Sequence, residues 1–147
     1  MYGIGDSIAT LIVNNFSWTR LLGVIVIGAT IYALEIPNYF NWIETKINNK
    51  TPKKRAFQKT ILALIYFNPF WIFRHLVLLK WFSNDFDFSY PGLLLISIYS
   101  FLINIPISIF GNFIIQNKIS LKNRFLASGI FSALMAIYYA LSETLFS

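Results

Sequence analysis

The sequence predicts an all-α fold: an integral membrane helical bundle of four long transmembrane helices plus a short N-terminal helix. Three observations carry that prediction. The 147-residue chain is 56% hydrophobic and only 12% charged, with a mean hydropathy of +0.61, whereas soluble domains carry about 25% charged residues. Four apolar stretches, at about 21–43, 57–82, 90–115 and 124–146, reach the ~20 residues that a bilayer core requires. The loops between these stretches sort by the sign of their charge. One transmembrane domain covering 1–147 is expected.

The first segment, about 2–16, is shorter and carries Asp6, Asn14 and Asn15. It is expected either to make a tight first crossing or to lie at the interface. No basic region precedes it, so no cleavable signal is expected. After the 21–43 span come Lys46, Lys50, Lys53, Lys54 and Arg55. The next loop holds Asp85 and Asp87 and no base, and the one after it holds Lys118, Lys122 and Arg124. The positive-inside rule then sets loops 44–56 and 116–123 on the cytoplasmic side and the C-terminus, near Glu143, on the other. The net charge of +6 therefore reads as topology, with the lipid bilayer as partner and no nucleic acid. Trp42, Trp81, Tyr39 and Tyr90 fall near span ends, where amphipathic rings anchor at headgroup level.

Several chemistries find no support. The chain has no cysteine, which excludes disulfides, iron–sulfur clusters and thiol catalysis. His75 stands alone, without a second histidine or a carboxylate cluster at metal-ligand spacing, so no metal is expected. No serine sits in a nucleophile motif. Gly3-Ile-Gly5 follows no strand and is not read as nucleotide binding. No cofactor and no enzyme activity are expected.

The 90–115 span carries a polar stripe. Ser97, Ser100, Asn104, Ser108 and Asn112 follow one another at steps of three or four, so they share one helix face. Hydrocarbon cannot hydrogen-bond such groups, and the face must turn toward protein or water. It is expected to line a pore or to act as buried polar contact between helices. Pro106 lies opposite the stripe, and Pro69 lies inside the 57–82 span; each is expected to kink its helix.

Four ionisable residues fall within or beside the apolar stretches: Asp6, Arg20, Glu35 and Arg74. Each costs several kcal/mol at membrane depth unless paired or hydrated. A Glu35–Arg74 pair inside the bundle is left open by the sequence: the two differ in depth by about 10 Å on a rise of 1.5 Å per residue, and Asp6 is the rival partner for either arginine. Alternatively the 57–82 span ends near Phe73, and the run from Arg74 to Trp81 lies along the interface with its bases snorkelling. In the last span, Ser128, Ser132, Ala136 and Ala140, flanked by Gly129 and Ala133, form a small-residue seam. Such seams let helices approach closely in lipid, here within one chain rather than between copies of a homo-oligomer.

In their order along nearly the whole chain, these features resemble the family of small multi-pass membrane proteins named after Mpv-seventeen and peroxisomal membrane protein 22. Gly5-Asp6 is similar to its early Gly-Asp, Arg20 to its arginine, Tyr39-Phe40 to its aromatic pair and Glu44 to the acidic position that follows. Pro69 matches a proline of the next helix, and Pro106 to Asn112-Phe113 matches the spacing of its Trp-Pro…Asn-Phe signature. Arg124 and Leu141-Ser142 resemble its later arginine and terminal Leu-Ser. Departures are Ala33-Leu34 for Gly-Pro, Ala63-Leu64 for Asp-Gln, Ile105 and Ile137 for tryptophans, and about three extra residues before Arg124. The resemblance implies a helical bundle in a bacterial inner membrane, or in a mitochondrial inner or peroxisomal membrane, and channel activity for some members. The expected function is accordingly a weakly selective pore for small solutes, with the stripe as its lining and Asp6, Arg20, Glu35 and Arg74 setting its field. The alternative is a non-conducting scaffold or assembly protein.

Overall fold

The computed structural model describes residues 2–48 and 51–146, with side chains described at 3–48, 51–135, 137 and 138. Among the described residues every element is helical: α1 (Tyr2–Ile12), α2 (Trp18–Ile27), α3 (Ala33–Lys46), α4 (Pro52–Tyr66), α5 (Pro69–Phe82), α6 (Tyr90–Lys118) and α7 (Leu121–Phe146). A π-helical turn, Gly28–Tyr32, joins α2 to α3 without a break. Three rods are long and apolar enough to cross a membrane: Trp18–Lys46 with 29 residues, Pro52–Phe82 with 31 and Tyr90–Lys118 with 29. They extend the expected spans by a few residues at their ends. α7 has 26 residues and packs beside them.

The bundle is inverted relative to a soluble protein. Leu22, Val26, Leu34, Ile65, Leu102 and Phe110 are each more than half exposed, while Asp6, Arg20, Lys59, Asn104, Asn112, Gln116 and Arg124 are buried. In water this would expose a large apolar surface and desolvate charge with no return. In a bilayer the same arrangement turns apolar side chains to lipid and encloses the polar ones. The described helices thus have the character of an integral membrane protein.

Segment 2–16 does not span by itself. α1 has 11 residues, or about 16 Å at 1.5 Å per residue, roughly half the ~30 Å hydrocarbon thickness. Nor does it stand apart from the bundle. Asn14, at φ 52°, turns the chain back, and α1 packs chiefly against α7 with Asp6, Ala9 and Thr10 buried. Gly5 makes this approach feasible: a Cβ there would stand 2.5 Å from the Cα and carbonyl oxygen of Ala133. The small-residue seam of α7 therefore packs against α1 at its flanking Ala133, the kind of close approach small residues permit. Ser128 is buried there as well; Ala136 and Ala140 lie outside the residues whose side chains are described.

Two proline expectations resolve differently. Pro69 does not kink a continuous helix; it starts a new one. The Oδ1 atom of Asn68 accepts the amides of Phe70 and Trp71 at 2.9 and 3.1 Å, and Pro69 occupies the first-turn position where its missing N–H is not needed. α5 then runs unbroken through Arg74 to Phe82 with His75, Leu76 and Leu79 buried, so the alternative of a span ending near Phe73 does not hold. Pro106 stays inside an uninterrupted α6 on its exposed face, opposite the buried stripe. Trp42, Trp81 and Tyr90 are exposed, as anchors would be. Tyr39 is half-buried instead, stacked on Tyr66 at 4.4 Å, and its hydroxyl donates to the Leu62 carbonyl.

Candidate functional site: a polar interior

The stripe of α6 is the spine of the interior. Ser97 and Ser100 are fully buried, Asn104 and Asn112 are 2% exposed, and Ser108 is half-buried. Their bonds run largely along their own helix. Ser97 Oγ donates to the Leu93 carbonyl at 2.7 Å, Asn104 Nδ2 to Ser108 Oγ at 3.0 Å, and Asn112 Nδ2 to the Ser108 carbonyl at 2.9 Å. Among the described residues, the Tyr138 hydroxyl of α7 donates across to the Ser100 carbonyl at 3.1 Å. Gln116, four residues after Asn112, is fully buried and extends the stripe by one turn. Asn104 Oδ1 and Gln116 Nε2 are buried without a partner, and each such group costs about 1–3 kcal/mol if left dry.

A cavity of about 40 Å³ opens beside this spine, with Asp6, His75, Ser108, Asn112, Ser132 and Met135 in its wall. That volume gives room for about three water molecules at roughly 10–15 Å³ each. Five helices contribute to the wall, because α1 brings Asp6, α2 Val24, α5 His75, α6 the two stripe residues and α7 Ser132. The Tyr32 hydroxyl lies 2.9 Å from His75 Nδ1, and the Trp71 ring stacks on the imidazole at 5.5 Å. The π-helical turn ends at Tyr32 and so sets that ring against α5.

The four charges do not converge; they form two separate pairs. Arg20 Nε reaches both Asp6 oxygens at 3.1 and 3.0 Å, and its Nη2 reaches Oδ1 at 2.7 Å, a chelated geometry that compensates both charges. Asp6 enters the cavity wall while Arg20 does not. Glu35 takes Arg74 at 2.9 and 3.3 Å, with the guanidinium over the rings of Tyr32 at 5.8 Å and Trp71 at 6.0 Å. The expected depth mismatch is absent, because the restart at Asn68 invalidates a uniform rise counted from the loop.

A third ionic group ties the helix ends together at the basic end. Glu44 accepts Lys59 Nζ and Arg124 Nη1, both at 2.6 Å. Arg124 also donates from Nε to the Ile119 carbonyl at 3.1 Å and from Nη1 to Gln116 Oε1 at 3.4 Å. Nearby, Asn117 Nδ2 donates to Thr60 Oγ1 at 3.2 Å. Sequence reasoning reads Lys59 only as part of an apolar span and stops the stripe at Asn112. The four-residue step to Gln116 was the available signal for the latter; nothing local marks Lys59.

No family model matches this chain, and neither a curated protein nor a solved structure matches it.

Proposed function

We propose that the protein crosses the membrane four times, with α7 as the fourth crossing, and forms a narrow, weakly selective pathway for small solutes, held here in a closed conformation. The observation that carries this reading is a column of neutral polar side chains, from Ser97 to Gln116, running past a water-sized cavity, with Asn104 Oδ1 and Gln116 Nε2 lacking protein partners. Buried groups of that kind call for water. Compensated Asp6–Arg20 beside neutral hydroxyls and amides leaves no net charge in the wall, which favours weak over strong ion selection. Membership of the Mpv-seventeen and peroxisomal membrane protein 22 family is part of the proposal. It is supported by the placement of its look-alike residues Asp6, Arg20, Glu44, Asn112 and Arg124 on the interior network. The membrane would then be a bacterial inner, mitochondrial inner or peroxisomal one.

Purified protein in planar bilayers is expected to show discrete conductance, with Asn104→Leu and Asn112→Leu each changing its amplitude; silence under all conditions overturns the pathway. A second reading rests on a specific observation: most stripe atoms bond to their own helix and are almost fully enclosed, as in a non-conducting scaffold. Single cysteines at Ser97, Ser100, Asn104, Ser108 and Asn112 separate the two, since the chain has no cysteine background. Labelling by a water-borne thiol reagent along the whole stripe supports the pathway. Protection at the middle positions supports the scaffold.

A further inference from the structure

The outer face between α4 and α6 differs from the rest of the apolar surface. A groove of about 460 Å³ runs along it, walled by Phe57, Thr60, Pro106, Phe110 and Phe113, with Lys53 in the same wall. Phe57 and Phe110 are 67% and 69% exposed, so their rings stand outward as sides of the groove. Pro106 sits in the wall on the far helix, α6.

The basic end of the groove carries charge that no described carboxylate offsets. Lys53, Lys54 and Arg55 occupy the first turn of α4, all exposed, and that turn has no acidic residue and no side-chain cap. A helix N-terminus carries a partial positive charge, so three cations there are placed against the helix field rather than with it. Glu44, the acid at this end, is already held between Lys59 and Arg124. Among the described residues no carboxylate pairs with the three cations. The combination is an apolar slot entering the bilayer and a cationic mouth at its surface.

We infer that this groove is a binding site for an anionic phospholipid. Its phosphate lies against Lys53 and the first turn of α4, and one acyl chain lies between Phe57 and Phe110 toward Pro106. Cationic pockets between transmembrane helices hold anionic headgroups by this complementarity; the Lys53 and Lys54 amides precede the first helical bond, from the Arg55 amide to the Thr51 carbonyl, and suit a phosphate oxygen. The inference is independent of whether the interior conducts.

The test uses the full chain, purified in detergent, with phosphatidylglycerol and phosphatidylcholine of identical acyl chains as probes. Binding is read by native mass spectrometry and by thermal shift. Wild-type protein is expected to favour phosphatidylglycerol on the order of tenfold, and the surface variant Lys53→Gln/Lys54→Gln/Arg55→Gln to lose that preference with an unchanged circular dichroism spectrum. Ala56→Trp, which fills the groove wall, is expected to weaken phosphatidylglycerol binding while leaving the three cations in place. Equal affinity for both lipids overturns the inference, as does a triple variant that keeps the preference. Inorganic phosphate or chain-free glycerophosphoglycerol that stabilises as strongly as the lipid overturns it too, since the groove would then contribute nothing.

Discussion

Asp6–Arg20 and Glu35–Arg74 join the same two chemical groups within one bundle, yet their surroundings differ. In the first pair the arginine and aspartate side chains are 10% and 6% exposed; in the second the arginine and glutamate are 42% and 34% exposed. The difference follows from what lies over each. α1 folds back on α2 and is pressed against α7, with Gly5 touching the Ala133 backbone one residue from Asp6, so the chelated pair is shut off from the outer surface and Asp6 faces only the interior cavity. Arg74 is covered on one side by the Tyr32 and Trp71 rings and open on the other. A sealed pair fixes helices and leaves a stranded charge if either partner goes; an open one keeps hydration in reserve and holds the fold less firmly.

The largest expected effect comes from opening the sealed pair. Arg20→Met leaves Asp6 buried alone and should cost about 3–5 kcal/mol, read as a loss of thermal stability in detergent. The double variant Asp6→Leu/Arg20→Met should recover much of that loss. A single variant as stable as wild type would erase the distinction between the pairs. Next, Gly5→Leu forces a side chain against the Ala133 backbone and should cost about 1–3 kcal/mol. Gly92→Ala, where a Cβ meets only Ser89 at 3.5 Å, should leave stability unchanged by the same thermal assay. Equal behaviour of the two glycine variants would show that close packing by α7 is not what seals Asp6. The smallest effect belongs to the open pair: Glu35→Gln should cost about 1 kcal/mol or less. A loss as large as that of Arg20→Met would mean that lipid, not water, lies against Arg74.

Helical class and the approximate limits of the long segments were legible because lipid imposes one rule, internal satisfaction of the backbone, that composition reveals directly. The inward face of α6 was legible for the same reason. What periodicity missed depends on partners distant in sequence. Glu44 finds Lys59 and Arg124 across 15 and 80 residues, and no local pattern announces such meetings. Asn68-Pro69 reads equally as a kink or as a capped start until the amides of Phe70 and Trp71 are seen on Asn68 Oδ1. Asp6 could be assigned to Arg20 only once α1 was known to fold back beside α2.

That capped start has a mechanical consequence. Between Tyr66 and Pro69 the rod has already exchanged part of its backbone ladder for a side-chain cap, so swivelling one half against the other sacrifices few further hydrogen bonds. Phe67, Trp71 and His75, which lie at and beyond that junction, all stand in the cavity wall. The junction is therefore where this rod gives up least backbone bonding on bending. Rotation there would carry these three wall residues with it and so reshape the cavity.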